Sequence, residues 1–312
     1  MQRRELIKYT LGGAACALAS TVLPGRALGV DSTHAARPVP DARLTDPLTV
    51  PASGTIKVAF LISSEAVVID FAGPWAVFEQ VMIEGDHPMP FNLYTVAASK
   101  DPVKVSGGMT IVPEHTYADA PAPNVIVVPA MDTDALAPAA LEWLRSVQNQ
   151  TDLTMSVCTG SYVLGEAGLL EGKKATSHHG GYGVLRAYRG VTVIRGVRYV
   201  EDGKIASSGG LTSGMDLALR VVERYFGRKV AKKTALDLEY QGTGWMHPES
   251  NAQFAKKPVG TANRPLCQVC EMGVDKKAAL TETYEGRTYY FCGEWCKKRF
   301  AAAPERFVEH SR

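Results

Sequence analysis

The sequence predicts two folded units: an α/β domain with a doubly wound, mostly parallel sheet, and a small cysteine-rich α+β domain after it. From residue 56 onward, short apolar runs alternate with helix-like stretches. Strands that are apolar on both faces are typical of parallel sheets covered by helices on both sides. Four cysteines then follow near the C-terminus, in a segment too short to be stabilised by core burial alone. We place the α/β domain at residues 55–248, a linker at 249–264 and the second domain at 265–312.

The elements of the α/β domain follow from this alternation. The predicted strands, in chain order, are IKVAFLI, FNLYTVAA, VIVVPA, LTMSVC and KIASS. The predicted helices run from Pro74 to Ile83, from Leu141 to Gln150 and from Gly214 to Phe226. Ligands of open α/β sheets bind beyond the carboxyl ends of the strands. The end of LTMSVC, at Cys158, is therefore the expected ligand-binding edge.

Residues 1–29 have the pattern of an export signal. Basic residues precede an apolar run from Leu11 to Leu23, which is shorter than the roughly 20 residues that a membrane-spanning helix needs. The segment RRELIK resembles the twin-arginine export motif, and an ordinary secretory signal or an uncleaved membrane anchor are the alternatives. Residues 30–54, rich in proline, alanine and polar residues, predict a flexible leader. We expect an exported, periplasmic protein whose mature chain has no membrane span.

The composition argues against a nucleic-acid-binding protein. The chain has 312 residues, 46% of them apolar and 21% charged, with a formal net charge of +2. The export signal holds four basic residues and one acidic residue, so the mature chain would be close to neutral. Nucleic-acid-binding domains carry clustered basic residues instead. We expect a small-molecule substrate or ligand and no nucleic-acid partner.

Cys158 stands apart from the other five cysteines. Cys16 would leave with the signal, and the five that remain cannot all pair as disulfides. Cys158 ends a predicted strand, and Thr159 and Gly160 lead into a helix. A thiol aimed at a helix N-terminus has a lowered pKa and N–H donors nearby, and Gly160 permits the tight turn. A buried cysteine that only fills the core is the alternative.

Three segments, in order, resemble the ThiJ/PfpI superfamily, also called class I glutamine-amidotransferase-like. They are VIDFAGPWAVFE (68–79), VCTGSYVLGEAGLLEGKKATSHH (157–179) and YVEDGKIASSGGLTSGMDLALRVVERYFG (199–227). Within the superfamily, the chain is similar to the isonitrile-hydratase branch and to the amidase-like halves of some AraC-type regulators. The resemblance implies a flavodoxin-like fold and no organic cofactor, and it leaves a homodimer open.

The resemblance also implies catalytic roles. Cys158 matches the nucleophile at the strand-to-helix turn, called the elbow, and Thr159 follows it as in the isonitrile-hydratase branch. Asp70 matches the acidic residue that faces the thiol, and His178 lies where the family often has a histidine. From the residues alone, Asp70 would be a helix N-cap and His178 a strand-end residue hydrogen-bonded to the backbone.

A thiol and a carboxyl in one pocket cannot both ionise at low cost, so they are expected to share one proton. In an isonitrile-hydratase reaction, Cys158 attacks the terminal carbon, Asp70 protonates that carbon, and water converts the thioimidate to an N-substituted formamide. The backbone N–H groups of Ala130, Thr159 and Gly160 are the expected oxyanion donors.

The C-terminal cysteines have the spacing of metal ligands. A C-x2-C pair and a C-x3-C pair, separated by 21 residues, can place four sulfurs around one tetrahedral ion. Thiolates favour soft ions such as zinc or copper(I), and two disulfides are the alternative. The predicted ligands of one soft metal ion are Cys267, Cys270, Cys292 and Cys296.

The residues around these cysteines resemble the YHS domain and its heavy-metal-sensing TRASH relatives. The resemblance covers CQVCEMGVD and YEGRTYYFCGEWCKKRFAAAPERF. The segment YEGRTYYFC predicts a hairpin that turns at Glu285 and Gly286, and CKKRFAAAPERF predicts a short helix.

Two functional hypotheses follow, from different classes of protein. The first is an exported small-molecule hydratase or hydrolase that uses Cys158 and appends a soft-metal module. The second is a non-catalytic periplasmic metal-handling or sensing protein that uses the α/β domain as a ligand-binding scaffold. A peptidase is disfavoured because Thr159 stands where protease-like relatives have histidine.

Overall fold

All five apolar runs predicted as strands enter one seven-stranded sheet in the computed structural model, which describes residues 46–83 and 89–308. The predicted export signal and the leader up to residue 45 lie outside the described residues. The strands are β1 Ile56–Leu61, β2 Phe91–Ala97, β3 Val103–Lys104, β4 Thr110–Ile111, β5 His115–Thr116, β6 Val125–Val128, β7 Leu153–Ser156, β8 Lys174–Ala175, β9 Thr192–Val193, β10 Tyr199–Asp202, β11 Ile205–Ser208, β12 Leu280–Tyr284 and β13 Arg287–Phe291.

The main sheet has the order β10-β11-β7-β6-β1-β2-β5. Its strands pair in parallel, except that β10 runs antiparallel to β11. Every residue of β6, β7 and β11 is buried, as expected for central strands covered on both faces. Because β6 and β7 are neighbours, their carboxyl ends place Ala130 and Cys158 at the same edge.

Helices cover both faces of this sheet. They are α1 Val68–Glu79, α2 Pro138–Val147, α3 Gly160–Glu166, α4 Tyr182–Leu185 and α5 Ser213–Asp237, with α6 Glu294–Ala302 in the C-terminal domain. Alternate residues of β1 enter opposite cores: Val58 packs in the cluster that includes α1 and α5, and Ala59 in the cluster that includes α2 and α3. The predicted flavodoxin-like, doubly wound fold is confirmed.

Helix boundaries differ from the predicted ones. Helix α1 begins at Val68, six residues before Pro74, so Pro74 lies inside the helix. A proline removes one backbone hydrogen bond, and the buried side chains of Phe71, Val77 and Phe78 hold the helix against the sheet. Helix α5 continues beyond the predicted end at Phe226, with a break at Gly227, where φ is 84°.

The C-terminal domain is a hairpin followed by a helix, as predicted. Strands β12 and β13 pair across a turn in which Glu285 and Gly286 have φ values of 50° and 74°. Both values are positive, as in the two-residue turns that suit the twist of hairpins. Helix α6 packs on this hairpin through Phe300, which contacts Phe291 in a small core that also contains the buried cysteines.

The segments predicted as leader and linker make specific contacts where they are described. The Leu48 N–H donates to the Arg224 carbonyl at 2.9 Å, and residues Pro248–Phe254 form a 3-10 helix. The Arg198 N–H donates to the Pro248 carbonyl at 2.5 Å, and the Phe254 ring stacks on His179 at 4.3 Å. In the described part of the chain, no helix combines the length and apolar character needed to cross a membrane.

Candidate active site and metal centre

Cys158 occupies a sharp turn between β7 and α3. Its φ is +59°, a left-handed conformation that costs a non-glycine residue about 1–2 kcal/mol. The surrounding chain holds this turn: the Cys158 N–H donates to the Gly209 carbonyl at 3.0 Å, and its carbonyl accepts from the hydroxyls of Ser161 and Ser177 at 3.3 and 3.0 Å. Cys158 as a whole is 9% exposed. The result is a nucleophile elbow with a nearly buried thiol.

Gly160 allows α3 to start against the end of β6. A Cβ atom at this position would lie 2.2 Å from the Val128 carbonyl oxygen and 2.8 Å from the Pro129 carbonyl carbon. Real Cβ atoms do not approach backbone this closely, so only glycine fits. The close contact keeps the start of the helix, and with it Thr159, beside the thiol.

Asp70 reaches the elbow from α1. It is fully buried, and its Oδ2 atom accepts a hydrogen bond from the Ala130 N–H at 3.2 Å. The N-cap alternative is wrong, because Asp70 is the third residue of α1 and Val67 occupies the N-cap. Burial raises the pKa of Asp70 to about 6, opposed by hydrogen bonds from the N–H groups of Ala130 and Leu211 and from the Cys158 thiol.

The thiol differs from the one expected at a helix N-terminus. Burial, followed by the charge of Asp70, raises the pKa of Cys158 to about 12. The N–H and side chain of Thr159 and the N–H of Leu211 act in the opposite direction but are outweighed. Helix α3 has only seven residues, so its dipole lowers the thiol pKa only slightly. The negative charge of a carboxylate in a buried site is little screened, and it raises the thiol pKa strongly. Asp70 therefore ionises first, and the pair holds one negative charge.

This arrangement suits a carboxylate that takes the thiol proton during reaction. Asp70 is ionised near neutral pH, while the resting thiol keeps its proton. Once Cys158 forms a bond to substrate, the same proton can return from Asp70. At neutral pH the one proton of the pair therefore lies on sulfur and the resting charge on oxygen.

Two of the three expected oxyanion donors are already bonded. The Ala130 N–H donates to Asp70, and the Gly160 N–H donates to the Val157 carbonyl at 2.9 Å. The N–H groups that stabilise charge at the thiol are those of Thr159 and Leu211.

Leu211 is the site residue that the sequence reasoning missed. It follows β11 in a left-handed conformation, with φ of 55°. Because β11 is the parallel neighbour of β7, the loop SSGGL ends at the same edge as Cys158. The two glycines before Leu211, which directly follow the last parallel strand, were the sequence feature that could have indicated a site loop here.

His178 lies near this edge but makes no hydrogen bond to Cys158 among the described residues. Its Nδ1 atom accepts the Gly180 N–H at 3.1 Å, and its ring packs over Gly210 and against His179, whose centroid lies 4.0 Å away. Burial, followed by His179, lowers its pKa. This geometry matches the backbone-bonded alternative.

The four C-terminal cysteines come together in one cluster. Their Sγ atoms all lie within 4.8 Å of one another, and Cys292 lies 3.5 Å from both Cys270 and Cys296. Sulfurs around a tetrahedral ion are about 3.8 Å apart for metal–sulfur bonds near 2.3 Å, whereas a disulfide brings them to about 2.05 Å. All five described cysteines are free. The spacing fits one metal ion.

The electrostatics of the cluster also fit a cation. A hydrogen bond between the thiols of Cys267 and Cys270 lowers the pKa of Cys267 and raises the pKa of Cys270 to about 12. The same thiols raise the pKa of Cys296. Thiols that bind a metal ion lose their protons, and the positive charge of the ion offsets their mutual repulsion.

The metal centre lies against the helices that follow the elbow. A Cβ atom on Gly183 of α4 would lie 2.5 Å from the Cys270 carbonyl carbon. Arg186 donates to the Gln268 carbonyl at 3.1 Å, and Arg195 pairs with Glu271 at 2.5 Å. The centre is therefore held on the α/β domain by backbone contact and charge.

Comparison with known proteins agrees with both parts of the chain. Residues 56–224 match the DJ-1/PfpI family, and residues 268–311 match the YHS domain. An isonitrile hydratase of Pseudomonas putida is 32% identical over 192 residues, which cover 59% of this chain and 78% of that protein.

Two further relatives are a transcriptional regulator and a family member of solved structure. The transcriptional regulator CdhR of Pseudomonas aeruginosa is 27% identical over 59% of this chain and 55% of its own. A ThiJ/PfpI family protein of Pseudomonas syringae has a solved structure that superposes with a TM-score of 0.55 at 27% identity, covering 72% of this chain and 96% of that one. From the matched sequence, the sheet order and the elbow together, this chain belongs to the DJ-1/PfpI family and carries a C-terminal YHS domain.

Proposed function

We propose that this protein is an exported, cysteine-dependent hydratase that converts isonitriles to N-substituted formamides. The observation that carries the proposal is the buried Asp70 carboxyl beside the Cys158 thiol at the elbow. The relative from Pseudomonas putida, an isonitrile hydratase, supports the reaction class.

The proposed chemistry consumes one water and involves no redox step. The Asp70 carboxylate accepts the thiol proton as Sγ adds to the terminal carbon of the isonitrile, and protonated Asp70 then delivers that proton to the same carbon. This gives a thioimidate on Cys158. Water adds to the thioimidate carbon, the nitrogen gains a proton, and the carbon–sulfur bond breaks to release the formamide and the thiol. The N–H groups of Thr159 and Leu211 stabilise the sulfur while it is charged.

Formamide production by the full chain tests the proposal. With an alkyl isonitrile as substrate and NMR detection, Cys158→Ala is expected to abolish turnover. Asp70→Asn should lower kcat by about 10²-fold or more, as expected for loss of a group that transfers protons. Asp134→Asn, which changes an exposed aspartate, is the matched control. Turnover by Cys158→Ala at the wild-type rate would rule the mechanism out.

The metal of the YHS domain is proposed to be zinc or copper(I). Support comes from the all-thiolate donor set, because thiolates select soft ions. The RRELIK segment supports export through the twin-arginine route, which carries folded proteins and so would allow the metal to be loaded before export. Metal analysis of protein recovered from the periplasm would test both points.

A second candidate is a non-catalytic metal-handling or ligand-sensing protein. The raised pKa of Cys158 favours it, because the thiolate is the reactive form. The similarity to a transcriptional regulator supports a ligand-binding role. In that case Cys158→Ala would leave ligand binding and metal content unchanged, and the wild type would form no formamide.

A further inference from the structure

A cleft of about 370 Å³ lies where the metal centre meets the α/β domain. Gly180 and Gly183 lie on the α/β side of the cleft, and Cys270 and Met272 lie on the YHS side. His179 and Phe254 also line it. One ligand of the metal cluster is thus part of the wall of an open cleft.

The donors at this cleft are unusually soft. Met272 is 59% exposed although its side chain is apolar, and it lies two residues after Cys270. Cys292, another cysteine of the cluster, is exposed as well. Thiolate and thioether sulfurs both bind copper(I). The cleft therefore brings the thioether of Met272 to the same wall as Cys270, one of the four clustered cysteines.

The cleft is also close to the elbow. A Cβ atom on Gly181 would lie 2.4 Å from the Tyr162 hydroxyl and 3.3 Å from Thr159 Cγ2. Tyr162 is on α3, and its hydroxyl donates to the Gly181 carbonyl at 3.0 Å. The turn at residues 180–183 therefore contacts Thr159 of the elbow through Gly181 and the Cys270 backbone through Gly183.

The chemistry of isonitriles connects the two sites. An isonitrile binds soft metals through its terminal carbon, the same atom that a thiolate attacks. A formamide offers only harder oxygen and nitrogen donors, which hold copper(I) weakly. Hydration therefore destroys the ligand that holds the metal.

We propose that the natural substrate is a copper(I)–isonitrile complex, and that the four-cysteine centre captures the copper as Cys158 consumes the isonitrile. This inference rests on the proposed hydratase function. Copper remains copper(I) throughout: each isonitrile that dissociates takes up one water and becomes a formamide, and the cysteine thiols lose their protons as they bind the metal. Removal of free isonitrile drives the transfer by mass action.

The test mixes the metal-free, reduced full chain with a copper(I)–alkyl isonitrile complex in a large excess of free isonitrile. Copper on the desalted protein, thiolate-to-copper absorbance in the near ultraviolet and formamide are followed together. In the wild type, copper is expected to bind in step with formamide release. Cys158→Ala should hold at least about tenfold less copper than the wild type, because this variant never removes the excess isonitrile.

Two comparisons make the outcome decisive. Met272→Leu should slow copper uptake several-fold relative to Met82→Leu, which changes a similarly exposed methionine in a separate cavity. Equal uptake by these two variants would overturn the route through the cleft. Equal copper uptake by Cys158→Ala and wild type would overturn the inference. If the wild type still produced formamide from isonitrile without metal, the hydratase function would stand. Absence of formamide in that metal-free reaction would overturn both.

Discussion

Asp70 places a titratable carboxyl in a fully buried position with one firm hydrogen bond, from the Ala130 N–H. Its Oδ1 atom has no close hydrogen-bond partner among the described residues. The resulting pKa of about 6 is higher than that of an exposed aspartate, because burial favours the protonated form. A residue of this kind serves the reaction at some expense of stability.

Asp70→Asn is expected to stabilise the folded protein above pH 6. The folded pKa is raised above the unfolded value of about 3.9, so ionised Asp70 costs up to about 3 kcal/mol at neutral pH, and this cost falls toward zero as the pH drops from 6 to 4. Asparagine does not titrate and can still accept the Ala130 N–H. Denaturant unfolding at pH 5 and pH 8 checks this, with Asp134→Asn as the exposed control. A stability difference that is the same at both pH values would contradict it.

The residues of the elbow pair could be predicted, and their charge state could not. The resemblance pointed to Cys158 and Asp70, and the structure brings their side chains together. The thiol pKa depends on how completely both groups are buried and on which N–H groups face them. Those quantities come from α1, β6 and the loop after β11, which are distant in sequence.

At the level of elements, the elbow depends on the contact between α3 and the end of β6. Gly160→Ala would push a Cβ atom into the Val128 carbonyl, which belongs to a fully buried strand and cannot move aside. We expect a loss of about 2–3 kcal/mol or more, in line with overpacking of rigid sites.

The matched control for Gly160 is Gly293, the residue before α6. It has extended backbone, with φ of −178°, and no atom within 4 Å of an added Cβ. Gly293→Ala should change stability by less than about 1 kcal/mol. Thermal unfolding of both variants checks the contrast, and equal Tm values would show that the α3–β6 contact is not limiting.

Element boundaries show where sequence patterns were weaker. Pro74 indicated a helix start, because proline is common in the first turn. The apolar contacts of α1 extend the helix back to Val68 and thereby place Asp70 inside it. Tertiary packing overrode the local signal, and this difference decides which way the carboxyl points.

For the whole chain, the YHS domain is expected to depend on a bound metal ion for its order. Its own core is small, built around Phe291 and Phe300 together with the cysteines. It docks on the α/β domain through Arg186, Arg195 and Gly183. Folding free energy and metal-binding free energy are linked in units of this size.

Removal of metal from the loaded protein with a strong chelator should expose residues 265–308 to trypsin and leave the main sheet resistant. Limited proteolysis with mass spectrometry would locate the cuts, and Cys158→Ala should behave as the wild type does. Resistance of the YHS segment after complete metal removal would show that docking alone maintains it.

Sequence patterns were enough to predict the doubly wound sheet, the elbow at Cys158 and the four-cysteine cluster, because each follows from the order of residue types along the chain or from a family resemblance. The folded structure was needed to show that Ala130 donates to Asp70, 60 residues away in sequence. It also decided that Leu211 faces the thiol and that the metal centre docks beside α3 and α4. These features depend on burial and on the meeting of distant strand ends and helices, which no local pattern of residues records.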